Sequence, residues 1–225
     1  SKTYPSLKFP SHMLIIPFSH SPTLSSISDP TSRQSTYAEM HRYRSALHSM
    51  LRHRANNSLG AVTWEVSRGN GIHIHWQFLP VPADLVRRGL VDAAFKVEAE
   101  NLKYPRFESQ SQPNDGDESA EPGDFFRVWI WEPPQAAAAS DTETGAEAQP
   151  ENKEEDGNKG SEKTLLLPLS PDFRFDLQFG RRVMAKLMGL EKRINWKDDV
   201  QSVQEEEADA VAFKEAFKEW DFTLE

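Results

Sequence analysis

Apolar and polar residues alternate strictly in the stretch GIHIHWQFLPVP, residues 71–82. Successive side chains of a β-strand point to opposite faces. The pattern therefore predicts a strand with one apolar face, made of Ile, Trp and Phe, and one polar face. The polar face carries His73, His75 and Gln77. A row of imidazole and amide groups on a rigid strand is typical of a functional site.

Apolar periodicity predicts the other elements of the chain in the same way. Thr36 and Glu39 form a capping box at the start of the first helix. SRGNG, residues 67–71, predicts a tight turn between two strands. Hairpins and helices are mixed without a regular βαβ alternation, so the predicted fold class is α+β. The further predicted strands are residues 13–16, 61–66, 125–133 and 164–170, and the helices are residues 35–55, 83–102, 179–190 and 205–220.

Two predicted elements have faces with more than one interpretation. The first helix has an apolar stripe opposite a basic face. This basic face is either simply solvated or a surface that contacts RNA. Trp129 and Trp131 alternate along a strand and are either packed core or exposed rings that stack on bases. The basic face consists of Arg42, Arg44, Arg52, His53 and Arg54.

Two acidic, polar segments, residues 108–124 and 135–163, interrupt these elements. They are almost free of large apolar side chains, so they cannot bury enough surface to offset their ordering entropy. We expect both to be disordered inserts. They carry net charges of −6 and −5, and the rest of the chain carries +2 out of a total of −9. An RNA or nucleotide partner is therefore compatible with the acidic composition.

The composition also limits the class of protein. The 225 residues include no Cys, which excludes a disulfide framework and any thiolate metal site and fits a reducing compartment. There is no run of 18 apolar residues, so we expect no membrane span. The chain begins with Ser rather than Met, and we expect it to be a piece of a longer protein.

The polar face of the histidine strand suits phosphate chemistry. A neutral, oriented imidazole can act as a nucleophile toward phosphorus. We expect His75, in the centre, to take that role, with His73 orienting the site and Gln77 donating to a phosphate oxygen. His12 could supply a further donor if its strand lies alongside. The candidate phosphate- or nucleotide-binding residues are His12, His20 and Asn70.

Two other interpretations of the histidines remain open. Histidines separated by one residue also occur in metal sites, which His12 or His20 could complete. No Asp, Glu or Cys lies within the motif, however, so we predict neither a metal nor a cofactor. Alternatively, the histidines are only hydrogen-bonded polar groups in a cleft.

Two of these stretches together resemble the histidine-triad (HIT) superfamily. SHMLIIPFSH is followed about 60 residues later by HIHWQFLP. Gln77 in the third position is similar to the nucleotidyltransferase branch, such as galactose-1-phosphate uridylyltransferase. There the middle histidine takes the nucleotidyl group, a role that the resemblance gives to His75. Ser11 departs from the pattern, because these proteins usually have Gly at that position.

The C-terminal part of the chain resembles CwfJ-domain proteins. The resemblance is carried by FDLQFGRRVMAKLMGLEKRINWKDDVQSVQEEE, by the closing WDFTLE, and by PGDFFRVWIWEPP and HWQFLPVP. It implies a HIT-like antiparallel sheet with helices in residues 1–82 and a second α+β half in residues 83–225, packed together as one unit. The family's usual Cys-x-x-Cys segment is absent from this chain.

The resemblance also implies a function. It predicts a nuclear, RNA- or nucleotide-phosphate-binding domain of a pre-mRNA splicing factor that acts in intron-lariat turnover. The implied partners are intron-lariat or branched RNA, the lariat-debranching enzyme and late spliceosome components. The alternative is an active phosphodiesterase or nucleotidyltransferase that forms a covalent nucleotidyl intermediate on His75. Whether the chain is an enzyme stays open at this point.

Overall fold

One antiparallel sheet and five α-helices make up the part of the chain that the structure describes. The computed structural model describes residues 4–9, 11–69, 73–110, 123–135, 160–198 and 200–224. The strands are β1 (Met13–Ile15), β2 (Leu59–Ser67), β3 (Trp76–Pro82), β4 (Glu108–Gln110), β5 (Asp124–Glu132) and β6 (Ser161–Leu169). The helices are α1 (Pro30–Ala55), α2 (Ala83–Arg87), α3 (Leu90–Asn101), α4 (Phe179–Leu187) and α5 (Val203–Phe217). Short 3-10 helices are Leu24–Ser26, Glu191–Arg193, Trp196–Asp198 and Lys218–Trp220.

The described strands form a single sheet in the order β1-β3-β2-β5-β6-β4, with every neighbouring pair antiparallel. The predicted α+β class is therefore confirmed. The sheet is continuous across residue 82, because β2 pairs with β5 along seven residues. The division of the chain at that residue stays a prediction.

Each face of the sheet is covered by a separate apolar cluster. Trp76, Phe78 and Trp129 pack with residues of α1 such as Leu47 and Leu51 in the first cluster. The second cluster joins alternate residues of the same strands to α3 and α4. Its members include Val62, Trp64, Val128, Phe95 and Phe179. The strands thus follow the two-residue period that the sequence shows.

Helix α1 begins earlier than the sequence pattern predicts. Asp29 is its N-cap and accepts a hydrogen bond from Ser32 N at 2.8 Å, and Pro30 occupies the first turn. The predicted capping box at Thr36 is wrong, since the Thr36 hydroxyl donates to Ser32 O within the helix, at 2.7 Å. Asp at the N-cap followed by Pro in the first turn favours the start of a helix at residue 30. Together they favour it more strongly than the later Thr36–Glu39 pair favours a start at residue 36.

The predicted helix over residues 83–102 is two helices. Gly89 adopts the left-handed conformation, with φ of 68°, and separates α2 from α3. Because a residue with positive φ cannot continue a right-handed helix, the chain turns at this point. The helices predicted over residues 179–190 and 205–220 are present as α4 and α5, each with slightly different ends.

The edges of both predicted disordered inserts are strands. Glu108–Gln110 forms β4 and pairs with β6, and Asp124 begins β5. Ser161–Leu169 forms β6, so residues 161–163 belong to the sheet. Backbone pairing places these polar ends in the sheet, and ion pairs of Asp124 with Arg68 and of Glu162 with Arg44 add to it. Residues 111–122 and 136–159 lie outside the described residues.

Two predicted surface features are buried. Trp129 and Trp131 are 2% and 4% exposed, so the interpretation as exposed stacking rings is wrong. Arg44 belongs to the predicted basic face of α1 but is 4% exposed, because it points at the sheet and lies over Trp129. None of the helices in the described ranges is long and apolar enough to cross a membrane.

Candidate functional site: the His75–Gln77 segment

The histidines of the motif lie just before a strand rather than within it. β3 begins at Trp76, and the backbone of Ile74 donates to Ser21 O at 2.9 Å, so the segment is held by the loop that follows β1. Burial still alternates. Ile74 and Trp76 are buried, whereas His75 and Gln77 are half-buried.

The position of one proton on His75 follows from its hydrogen bonds. Its Nδ1 lies 2.9 Å from His73 O. A carbonyl oxygen can only accept, so Nδ1–H is the donor. In the neutral ring Nε2 then carries the lone pair, and the Gln77 side-chain amide donates to it across a long 3.5 Å contact. The result is an oriented imidazole whose Nε2 can accept a proton or attack an electrophile.

Buried groups on the other face fix the start of β3. The Trp76 indole Nε1–H donates to Glu65 Oε2 at 2.7 Å. Glu65 Oε1 lies 3.3 Å from Arg127 Nε, and both of these side chains are 2% exposed. The three residues are register partners on β3, β2 and β5. Trp76 therefore anchors the backbone between His75 and Gln77.

A second set of polar groups from α1 covers Trp76. Arg44 Nη2 donates to His41 Nδ1 at 3.0 Å and to Glu162 Oε1 at 2.9 Å. The His41 and Trp76 rings meet edge to face, with centroids 4.8 Å apart. Burial, with the charges of Arg44 and Arg127, lowers the pKa of His41 to about 3. His41 is therefore a neutral acceptor for Arg44.

His20 and His73 are brought together at the surface. Their rings meet edge to face with centroids 4.6 Å apart, and both side chains are exposed. His73 also supplies the carbonyl that orients His75. The predicted grouping of His20 with the histidine segment therefore has a geometric basis. Asn70 lies outside the described residues.

His12 lies on the same sheet face as Gln77 but in a different neighbourhood. Leu14 is the register partner of Gln77, so His12 is two residues beyond it, roughly 13 Å along the strand direction from His75. The His12 ring packs on Trp64, with centroids 5.5 Å apart. Arg181 Nη1 donates to His12 Nδ1 at 3.4 Å.

The contribution of α4 to this face was missed by sequence reasoning. Its first turn lies on Trp64, the β2 register partner of Gln77. A Cβ at Gly180 would stand 2.5 Å from Trp64 Nε1, so only Gly allows this approach. The sequence signal is FGRR, in which a Gly that weakens a helix precedes two Arg.

Other concave or polar groupings are distinct from this site. A mostly apolar groove of about 710 Å³ lies between β1, α1 and α5, lined by Ile16, Phe18, Met40 and Phe213 among others. None of the candidate histidines lines it, so its size does not decide where the chemistry is. Within the part of the chain that is described, no three His, Asp or Glu side chains are grouped as metal ligands.

The fold and the site together define an α+β protein with an oriented His–Gln pair at the start of β3. Two family models match the chain. "Protein similar to CwfJ C-terminal" matches residues 4–96, and "Protein similar to CwfJ C-terminus 2" matches residues 141–223. The chain belongs to the CwfJ C-terminal-domain family.

Two curated relatives are similar over almost the whole chain. CWF19-like protein mug161 of Schizosaccharomyces pombe is 35% identical over 97% of this chain and 32% of its own length. CWF19-like protein DRN1 of Saccharomyces cerevisiae is 26% identical over 95% of this chain and 38% of its own length. The chain therefore spans about a third of the length of these relatives.

Proposed function

We propose that this chain is a HIT-like domain that binds the phosphate of RNA or a nucleotide through His75 and Gln77. The observation that carries the proposal is the oriented imidazole. Its Nδ1–H is held by His73 O at 2.9 Å, and the Gln77 amide stands at Nε2. The Gln77 amide N–H can donate to one phosphate oxygen, and Nε2–H of the protonated imidazole can donate to another.

The biological setting follows from the family and its implied role. The domain serves a nuclear pre-mRNA splicing factor in intron-lariat turnover. There it holds branched or lariat RNA and works with the lariat-debranching enzyme and late spliceosome components. Residues 1–82 supply the HIT-like part, and residues 83–225 form the second α+β half. The membership of the chain in the CwfJ C-terminal-domain family supports this setting.

The second candidate function is catalysis, favoured by the lone pair on His75 Nε2. In this reaction Nε2 attacks phosphorus and an N–P bond forms. The bond to the leaving oxygen breaks, and that oxygen departs with the electron pair and takes up a proton. Water or another hydroxyl then displaces the histidine, releasing a phosphate ester. Binding and catalysis share the same residues but differ in whether a covalent adduct forms.

The test compares branched and linear RNA of equal length, with wild type, His75→Ala and a control, Gln204→Ala. Gln204 is an exposed residue of α5. Binding and product analysis are done on the same samples, and thermal unfolding checks each variant. We expect wild type to bind branched RNA and leave it intact, and His75→Ala to bind about 10-fold more weakly.

The other outcomes distinguish catalysis from binding, and either of them from no RNA function. Labelled nucleotide trapped on wild type, but not on His75→Ala, would establish the enzyme. RNA binding that is unaffected by His75→Ala would remove His75 from the binding surface. No binding of either RNA would overturn the proposal.

A further inference from the structure

The outer edge of the sheet at β1 is unpaired and apolar. β1 ends the strand order, and its one strand neighbour in the described ranges is β3. Proteins usually cover such an edge or protect it with charged side chains. The stretch HMLIIPFSH, residues 12–20, contains no Lys, Arg, Asp or Glu. Leu14, Ile16 and Phe18 are 54%, 57% and 100% exposed, so this edge offers both backbone groups and apolar surface to a ligand.

The mostly apolar groove of about 710 Å³ runs along this edge. β1 and the loop after it form one wall of the groove. Helix α1 forms the other wall from Thr36 to Leu47, and α5 contributes Phe213 and Phe217. Eleven residues of helix span roughly 16 Å, which is the length of about five residues of an extended strand. The groove is thus the place that a further strand beside β1 would occupy.

One carboxylate gives this apolar groove a negative potential. Glu39 is the only charged side chain among the described residues that line the groove. It is exposed, and it has no ion-pair partner within the part of the chain that the structure describes. Burial and the carboxylates of Asp221 and Glu39 raise the pKa of Tyr43, which lies in the same wall. A ligand that brings a cation to Glu39 would therefore be electrostatically complementary to the groove.

A second copy of this chain does not fit the groove. Antiparallel pairing of two β1 strands has its two-fold axis perpendicular to the sheet, which puts the helices of both copies on the same face. Helices α1 and α5 already line the space beyond β1, so the two sets of helices would collide there. The β1 stretch also offers no Lys or Arg to Glu39. A single extended segment avoids both problems.

We propose that the groove beside β1 binds an extended segment of another protein, about five residues long, by strand addition. The backbone of the segment pairs with the free edge of β1, apolar side chains contact Met40 and Phe213, and a Lys or Arg near one end reaches Glu39. Main-chain hydrogen bonds supply affinity, and alternate side chains supply specificity. None of the candidate histidines lines the groove, so the inference does not rest on the proposed phosphate binding.

The test selects peptides on the whole 225-residue chain from a phage-displayed library of random seven-residue sequences. Selected peptides are synthesised, and their affinities for wild type, Glu39→Gln and Phe18→Ser are measured by fluorescence anisotropy. Glu100→Gln and Val97→Ser are matched controls, because both residues are exposed on α3, which covers the other face of the sheet. Each peptide is also made with single N-methyl groups at successive backbone positions. Thermal unfolding and sedimentation verify the fold and the oligomeric state of every variant.

We expect the selected peptides to be apolar, with a Lys or Arg near one end. Glu39→Gln should weaken their binding about 10-fold, since one charge-assisted contact is lost. Phe18→Ser should weaken it by a similar factor, since apolar contact area is lost. Glu100→Gln and Val97→Ser should leave it unchanged. N-methylation should abolish binding only at every second residue, because alternate residues of a strand donate to the same neighbouring edge.

Each contrary outcome overturns the proposal. If no sequence is enriched, the groove does not recognise an extended segment. An affinity that is unchanged in Glu39→Gln or in Phe18→Ser would contradict the placement of the peptide. Apolar residues spaced three and four apart, with no alternation in the N-methyl series, would show a bound helix instead of a strand. A wild-type dimer that Phe18→Ser dissociates would make the groove an interface between two copies.

Discussion

Burial separates the histidines of α1 from those of the candidate site. The His48 ring stacks on Trp131 with centroids 4.3 Å apart, and burial lowers its pKa well below the usual value. His41, whose pKa is lowered to about 3, lies against Trp76. In contrast, His20 and His73 are exposed. Neutral core histidines thus lie directly under the strand that carries the site.

His41 makes stability depend on pH. Its pKa is about 3 in the folded state and near 6.5 in an unfolded chain. Between these values only the unfolded state binds the proton, so the free energy of unfolding falls as pH decreases from 6.5 toward 3. The expected slope is about 1.4 kcal/mol per pH unit for this one group. Urea unfolding of wild type and His41→Gln at several pH values measures the difference.

The control for this prediction is His53→Gln, because His53 is exposed on the same helix. It should keep the wild-type slope, whereas His41→Gln should have a smaller one between pH 6 and pH 4. A His41→Gln variant with the full wild-type slope would mean that the folded protein already binds the proton at His41.

At the scale of elements, the row of Trp76, Glu65 and Arg127 decides how firmly β3 is held. Removing one partner of a buried ion pair leaves the other charge buried without compensation. We expect Glu65→Ala to lower the free energy of unfolding by about 3–5 kcal/mol. Adding Arg127→Met to this variant should recover part of the loss, because the uncompensated charge is then gone. Chemical denaturation of the two single variants and the double variant measures both effects.

A surface pair provides the comparison. Asp84 of α2 and Arg88, the residue that follows this helix, lie 3.3 Å apart, with side chains 68% and 64% exposed. Asp84→Ala should cost less than about 1 kcal/mol, since solvent screens the pair. If Glu65→Ala costs no more than Asp84→Ala, the buried row does not stabilise β3.

The sequence predicts these elements well where the signal is local. Alternation placed β2, β5 and β6 and the apolar anchors Ile74 and Trp76 correctly, because a two-residue period depends only on neighbouring residues. It did not predict that Arg44 faces the core. Nor did it identify Arg181, which meets His12 across 169 residues of chain. Such groups are placed by strand order and helix packing, which a single sequence does not contain.

For the whole molecule, the sheet joins parts of the chain on both sides of residue 82. One row of register partners runs Leu14, Gln77, Trp64, Val128 and Leu165 across β1, β3, β2, β5 and β6. Gln77 therefore stands in a row whose other half comes from the C-terminal part. The candidate residue His12 also contacts the C-terminal part, through Arg181.

A fragment of residues 1–82 should therefore not fold alone. Without β5, the seven β2 residues that pair with it have no partner on that edge, and Trp64 loses its cover from α4. Unpaired edges and exposed apolar faces promote aggregation. We expect the fragment to be unfolded or aggregated by circular dichroism and gel filtration, and the full chain to unfold in one transition. A monomeric fragment with a cooperative transition would instead show that residues 1–82 are an independent domain. The contact of Arg181 with His12 would then be an addition to a part of the chain that is complete without it.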